Sequence, residues 1–427
     1  MVTGIFILTF LLIIFGMPIS FSMGLGSLLF LNIYHSLSFP AIAHKMFHNL
    51  DGFVIMAVPF YIVMANFMSS GETAKRLVNF LNSFLKRFPG GIGVAVMVAC
   101  AIFAAMCGSG SAASAAFAIF VIPAMTAIGY DRTFVAGLVA TGGGLAILIP
   151  PSLSFIFYGV ITGESVGKLF MAGVVPGIMM TIALCLCIMI VAKRRNYAKD
   201  DSAISLKEII NSFKKAIWSL MIPVLVLGGI YGGFFTPTEA AAVGAVYILI
   251  LSVFIEKSIK GKEEILNCLS KSMELTANIF LIVAAALLFG FALTLEEVPQ
   301  KILYFINNLN LSKMHFLMFI NIFMLIMGCF LDSASVILIT TPIIYPVVKA
   351  LGIDPIQFGV IMTLNLEIGL LTPPFGMNLF IVSGVAKIPP EEVARGTMPF
   401  LIILLLGLVL VTYVPEVSLW LPKFMGN

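Results

Sequence analysis

The chain has 427 residues, of which 60% are hydrophobic and only 10% charged, with a net charge of +4. So little charge over this length excludes a soluble globular protein and points to apolar helices in a bilayer. The apolar runs are long and rich in Leu, Ile, Phe and Val, which excludes a barrel of alternating strands, and the excess positive charge lies in loops, which argues against a nucleic-acid surface.

Residues 1–16, MVTGIFILTFLLIIFG, lack a basic leader and a small-residue cleavage site, so no removable signal peptide is expected. Residues 4–31 read either as one long tilted helix or as two short spans broken at Gly16-Met17-Pro18; no Lys or Arg precedes Lys45 to decide between them. His44 and His48 share a helix face, but no third ligand is near and no metal site is expected. The segment 72–88, with Lys75, Arg76, Lys86 and Arg87, faces the cytoplasm by the positive-inside rule.

The stretch AAMCGSGSAASAAF, 104–117, interrupts an apolar region whose arms are about 15–17 residues long, enough to reach mid-membrane and return. It predicts a re-entrant hairpin over about 91–128. Its GSGSAA core, 108–113, resembles a dinucleotide fingerprint, but no strand precedes it and that reading is rejected. Next, LAILIPPSLSFIFYGVITG, 145–163, breaks the helix expected over about 133–162 at Pro150-Pro151. Residues 196–215 form a basic cytoplasmic linker; Lys193, Arg194, Arg195, Lys199, Lys207, Lys214 and Lys215 lie in or beside it. Two spans follow, 216–234 and 238–255, turning at FFTPTE, where Thr236-Pro237-Thr238-Glu239 fits a capping box. Lys257, Lys260, Lys262 and Lys271 mark the return to the cytoplasm.

The second half repeats the first. Pro373 stands 223 residues after Pro150, and the same gapless offset pairs Pro123 with Pro346, Gly129 with Gly352, Asp131 with Asp354, Phe157 with Phe380, Gly173 with Gly396 and Pro176 with Pro399. The chain therefore reads as a duplication, 1–195 and 216–427. The second unit carries its own Gly/Ser-rich tip, IMGCFLDSASVILITTP (326–342), in a hairpin over about 314–350, and its own broken helix over about 356–386. The repeat favours the break at Gly16-Met17-Pro18. Five crossings per unit, an odd number, make the second copy inverted; ten spans with both termini periplasmic are expected. The expected fold class is an all-α polytopic membrane protein, an inverted repeat with two re-entrant hairpins and two broken helices. The six cysteines lack metal-ligand spacing and read as reduced packing residues.

A helix stopped in mid-membrane leaves carbonyls on one side of the break and N–H groups on the other without partners. Carbonyl ends favour a cation such as Na⁺ and N-terminal ends favour an anion, so two hairpin tips and two breaks near the midplane suit a secondary transporter. Ser109, Gly110, Ser111 and Ser114 offer oxygens at the first tip, with Gly142, Gly143, Gly144, Pro150, Ser152, Ser154 and Tyr158 at its break. Asp332, Ser333 and Ser335 occupy the second tip, with Gly369, Thr372, Gly376, Met377 and Asn378 at its break. Asp332 is the only acid expected at a tip near mid-membrane, and it reads both as a helix cap and as a functional candidate. No Walker A sequence is present.

With GGFFTPTEAAAVGAVY (232–247), GLLTPPFGMN (369–378), GSGSAASAA (108–116) and GLAILIPPS (144–152), the chain resembles, over essentially its whole length, the large membrane subunit of tripartite ATP-independent periplasmic (TRAP) transporters. That resemblance implies an elevator-type fold in the bacterial inner membrane, no enzymatic activity, no organic cofactor, and Na⁺ as coupling ion. It implies three partners: a small four-helix membrane subunit, expected here as a separate chain, a periplasmic solute-binding protein, and an organic anion such as a dicarboxylate or sialic acid. Carried onto this sequence, Na⁺ would sit at Ser109, Gly110 and Ser111 with the Gly142–Pro150 break, and at Ser333 with Gly369, Thr372 and Met377. Ser111, Ser154 and Asp332 would face the substrate. The alternative of a stand-alone divalent-anion/Na⁺ symporter is less well matched, because neither tip carries the Ser-Asn-Thr usual there. An intramembrane enzyme would need a paired catalytic set, and only Asp332 is expected to be central.

Overall fold

The computed structural model describes residues 8–9, 11–13, 15–69, 72–197, 205–308 and 312–425. Among these the secondary structure is helical throughout. A turn at Phe15-Gly16, with Gly16 at φ +83°, separates the helical residues before it from α1 (Ile19–His35), so the break at Gly16-Met17-Pro18 is present. Residues 1–7 and 426–427, and with them the expected periplasmic placement of both termini, lie outside the described residues. After α1 come α2 (Phe39–Leu50), α3 (Ala57–Ser69) and the amphipathic α4 (Thr73–Leu85). The latter buries Ala74, Leu77, Val78 and Leu81 on one face.

Helices α5 (Gly91–Cys107) and α6 (Gly110–Ala127) form a hairpin. The Phe103 and Phe117 rings meet edge to face at 5.3 Å near the tip, while Gly93 lies beside Met125 near the base, the pattern of an antiparallel pair. Beyond it, α7 (Arg132–Leu148) and α8 (Leu153–Thr162) make one span interrupted at 149–152, followed by the long α9 (Val166–Arg194). Ile178, Ile182, Leu186 and Ile190 stay exposed on α9, one apolar stripe at four-residue spacing that suits lipid contact.

The next helix, α10 (Leu206–Tyr231), starts inside the segment that the charge pattern assigns to the linker. Residues 206–215 are helical; Glu208 in the first turn favours the helix N-terminus, while Ser205 makes no side-chain cap bond. Lys199 of that linker lies outside the described residues. Then α11 (Pro237–Ile250) opens with the expected capping box: the Thr236 hydroxyl accepts from the Glu239 N–H at 3.3 Å, and the Glu239 carboxylate accepts from the Thr236 N–H at 2.8 Å. After a π turn at 251–255 follow α12 (Lys262–Leu295) and α13 (Val298–Asn308).

A second hairpin, α14 (Lys313–Phe330) and α15 (Ser333–Ala350), is antiparallel like the first: Thr340 approaches Met324 and Lys313 donates to the Gly352 carbonyl. The chain closes with α16 (Pro355–Gly369), α17 (Met377–Ala386), α18 (Pro390–Tyr413) and α19 (Glu416–Met425). Helix starts keep the offset read from the sequence: Gly110 and Ser333, and Arg132 and Pro355, stand 223 residues apart.

Nine helices among the described residues are long and apolar enough to cross a membrane, so this is a multi-pass membrane protein. Three of the nine, α6, α14 and α15, are hairpin arms, which length alone does not distinguish from crossings. The centre is built from the first halves of the two broken helices. Every residue from Phe134 to Leu148 on α7 and from Ile356 to Gly369 on α16 is buried; α7 is apolar nearly all round, whereas α16 also buries Gln357, Thr363, Asn365 and Glu367.

Close packing at this centre depends on glycine, the usual device where no hydrophobic drive separates helix from lipid. At the crossing of α7 and α18, a Cβ on Gly396 would overlap the Thr133 carbonyl, and one on Gly137 would overlap the Gly396 backbone. Gly396→Val is therefore expected to cost about 1–3 kcal/mol and to lower the thermal unfolding midpoint in detergent. Gly384→Ala, where nothing lies within 4 Å of the added carbon, is expected to leave that midpoint unchanged.

Candidate functional site

One cavity of about 600 Å³ brings both hairpin tips and both breaks together. Gly108, Ser109, Gly110, Ser111 and Ala112 come from the first tip, and Asp332, Ser333 and Ala334 from the second. Leu153 and Ser154 follow the first break, and Leu370 and Met377 flank the second. The opposite wall belongs to α3 and α12, with Ile62, Ala65, Asn66, Leu275, Ile279 and Ile282. Asn66 is the polar member of that wall, and its amide donates to the Ser272 hydroxyl at 2.8 Å, tying α3 to α12.

The tips are shaped by local rules. Gly108 ends α5 at φ +60°, a conformation glycine adopts without steric penalty, and its carbonyl receives the Leu153 N–H from across the first break at 3.5 Å. There is no room for a side chain, since a Cβ at Gly108 would lie 2.8 Å from the Pro151 carbonyl. Ser109 caps α6 by accepting from the Ala112 N–H at 3.5 Å, and its hydroxyl lies 3.1 Å from that of Ser111. Ser152 caps α8 through the Ser154 N–H at 3.2 Å. At the second tip Asp332 caps α15, accepting from the Ser335 N–H at 3.1 Å and from the Ser335 hydroxyl. The cap and the cavity position thus belong to the same residue. Helix α17 starts at Met377, after Gly376, with no side-chain cap.

Four helix N-termini, those of α6, α8, α15 and α17, therefore begin at cavity residues. Each contributes partial positive charge and N–H donors. The lining contains no Lys, Arg or His, and Asp332 is its acid. Carbonyl ends approach from behind: α5, α7, α14 and α16 all terminate at the same two tips and two breaks. At the second break two of these carbonyls already have partners, because Leu371 donates to Ile368 and Thr372 to Gly369.

Of the residues singled out from the sequence, Ser109, Gly110, Ser111, Ser154, Asp332, Ser333 and Met377 line the cavity. Gly142, Pro150, Gly369 and Thr372 stand behind it. Gly142 presses on Cys100, and Gly369 packs against Gly328, where a Cβ would lie 2.6 Å from backbone. The Thr372 hydroxyl donates to the Ile368 carbonyl at 2.7 Å. Asp332 does not stand alone as a central acid: Glu367, near the end of α16, is fully buried, and neither of its oxygens has a hydrogen-bond partner. The sequence carried the signal, an acid in an apolar run two residues before a helix-ending glycine. The scaffold wall carried none, since Asn66 and Leu275 meet the tips only through tertiary packing.

Residues 6–417 match the family described as Tripartite ATP-independent periplasmic transporter, DctM component. The C4-dicarboxylate TRAP transporter large permease protein DctM of Pseudomonas aeruginosa is 42% identical, with 95% of this chain and 94% of that protein aligned. The sialic acid TRAP transporter large permease protein SiaM of Vibrio cholerae is 36% identical, with 96% of each covered. In fold, the chain is similar to the YdaH transporter of Alcanivorax borkumensis, with a TM-score of 0.60, 15% identity, and 88% of this chain and 89% of that one covered. The chain belongs to the tripartite ATP-independent periplasmic transporters, as their large permease component.

Proposed function

We propose that this chain is the translocating subunit of a Na⁺-coupled transporter that imports a small organic anion, a dicarboxylate, sialic acid or a similar acid, across the bacterial inner membrane. The observation that carries the proposal is the convergence of four helix N-termini on one cavity that contains an acid and no basic side chain. An anion entering there meets N–H donors and positive helix ends, but also the negative charge of Asp332. Cations held at the carbonyl ends behind the wall offset that charge, which couples anion binding to Na⁺. The hard-oxygen donors suit Na⁺: Ser109, Gly110 and Ser111 with the Gly142–Pro150 break, and Ser333 with Gly369, Thr372 and Met377. Ser111, Ser154 and Asp332 face the anion.

In this reading the two units are inverted with respect to the membrane. The hairpins and broken helices move together as an elevator against the wall formed by α3 and α12. The amphipathic α4 and α13 connect the two parts as arms. A small membrane subunit supports the scaffold, and a periplasmic binding protein delivers the substrate, as expected for this family.

Uptake by proteoliposomes holding this chain with its small subunit, supplied with the loaded binding protein, tests the proposal directly. An inward Na⁺ gradient is expected to drive accumulation of labelled dicarboxylate or sialic acid, and replacing Na⁺ by K⁺ to abolish it; equal uptake in K⁺ contradicts Na⁺ coupling. Thr372→Val keeps the side-chain shape and removes one oxygen, so the Na⁺ concentration for half-maximal uptake is expected to rise about three- to tenfold. An unchanged Na⁺ dependence would remove Thr372 from the ligand set. Asp332→Asn retains an acceptor for the Ser335 N–H, so the fold is expected to survive while uptake falls at least about tenfold. Uptake near the native level would leave Asp332 as a cap alone.

A further inference from the structure

Behind the cavity wall, between α7, α16 and α17, lies a group of buried oxygens outside the Na⁺ and substrate sets assigned above; of its members only Asn378 is marked by the sequence, at the second break. Glu367 is wholly inaccessible, and both carboxylate oxygens lack a partner. Its side chain lies against Gly144 of α7: a carbon added there would stand 3.2 Å from the Glu367 Cγ, 3.6 Å from its Oε1, and 3.6 Å from the Asn378 amide nitrogen. Asn378 is equally buried, and its amide donates to the Ala140 carbonyl at 3.3 Å while its own Oδ1 is left without a partner. Thr141 stands three residues before Gly144, on the same face of α7; it too is fully buried with an unpartnered hydroxyl. No Lys, Arg or His pairs with Glu367 among the described residues.

A carboxylate enclosed in apolar surroundings without a counter-charge is strongly disfavoured, and unmatched amide and hydroxyl oxygens add to that penalty. Glu367 and Asn378 meet at Gly144, Thr141 lies one helical turn away on α7, and the oxygens left without partners on these three residues carry one formal negative charge among them. We propose that Glu367, Asn378 and Thr141 form an additional, enclosed site for a monovalent cation, Na⁺, at the crossing of the two broken helices. It is distinct from the sites at the tips, whose residues it does not share. Asn378 follows the cavity-lining Met377 directly, which puts the site one layer behind the substrate wall. A cation there bridges the first unit, through α7, to the second, through α16 and α17. Gly144 leaves the room the carboxylate occupies.

The inference rests on the Na⁺-coupled reading above, and the test separates the two. The full-length chain in detergent is unfolded thermally at constant pH and ionic strength while Na⁺ replaces K⁺. Native protein is expected to gain stability saturably with Na⁺. In Glu367→Gln, which removes the charge at constant shape, the unfolding midpoint in K⁺ is expected to equal or exceed the native one. The Na⁺ concentration for half-maximal stabilisation is expected to rise at least about tenfold. Thr141→Val, which removes a neutral oxygen, is expected to raise that concentration about threefold or more. A native Na⁺ response in Glu367→Gln would show a neutral, protonated carboxyl that holds no cation, and would overturn the site. Should Glu367→Gln not fold, Thr141→Val decides, and an unchanged half-maximal concentration overturns it. If the Na⁺ response survives in both variants but is weakened in Thr372→Val, the additional site falls and the Na⁺-coupled reading stands. If native protein shows no Na⁺ response, both fall.

Discussion

Backbone polar groups in hydrocarbon must find partners within the protein, and the architecture of this chain follows from where it fails to supply them locally. An unbroken helix satisfies its own N–H and C=O groups; a helix stopped in mid-membrane leaves several exposed, each costing several kcal/mol in lipid. This chain stops helices at four central places: two tips and two breaks. The breaks are tolerable because each tip lies on its own break. Gly108 takes the Leu153 N–H across the first, and Gly328 packs on Gly369 beside the second. Serine and aspartate caps satisfy three of the four N-termini locally. What the caps leave without a local partner lies at the cavity and among the enclosed oxygens behind it.

The two units solve the same problem unequally. The first proline pair is buried and its break is short, with Ser152 as cap; the second pair is exposed, spans 370–376, and leaves α17 uncapped. The first tip is neutral, whereas the second carries Asp332. The amphipathic helices α4 and α13 differ as well. On the first unit's side, α4 is fastened at both ends: Arg76 pairs at 3.3 Å with Glu256, whose side chain is fully buried and also receives the Thr73 and Ser219 hydroxyls, and Lys86 pairs with Glu208 of α10 at 2.9 Å. The Arg76–Glu256 pair, with its buried carboxylate, does little for net stability but fixes geometry, because either charge left alone is costly. No comparable pair fastens α13 among the described residues.

Much of this was legible because membrane folding exposes its rules in sequence. Pro-Pro, Gly-Ser and Thr-Pro-Thr-Glu each act on the backbone within a few residues, so the breaks, tips and capping box could be placed from composition and spacing alone. The repeat then made each feature count twice. Legibility ended where the decisive contact was between distant segments. Nothing local marks Asn66 or Ile279 as the wall opposite the tips. Gly142 and Gly369 read as ion ligands, yet their immediate surroundings are helix-packing contacts with Cys100 and Gly328. Glu367 has no local mark beyond an acid in a largely apolar run that ends at Pro373-Pro374. Its significance lies in having no partner, which only a structure can reveal. The start of α10 inside the basic linker has a simpler cause: a Lys-rich segment reads as a loop, although Lys is a good helix former.

Both tips meet at one cavity, and the proposed elevator motion exchanges their exposure between the two sides of the membrane. Ala112 and Ala334 line that cavity from opposite tips, each beside a tip serine. Single cysteines at these positions, in a chain whose native cysteines are replaced, report exposure to a membrane-impermeant thiol reagent applied from the periplasmic side. Unequal labelling is expected, with position 334 the more accessible in the outward-facing state, and with asymmetric protection of the two positions when Na⁺ is added. Equal labelling of both from one side, unaffected by Na⁺ or substrate, would mean that the tips line a fixed pore and would contradict alternating access.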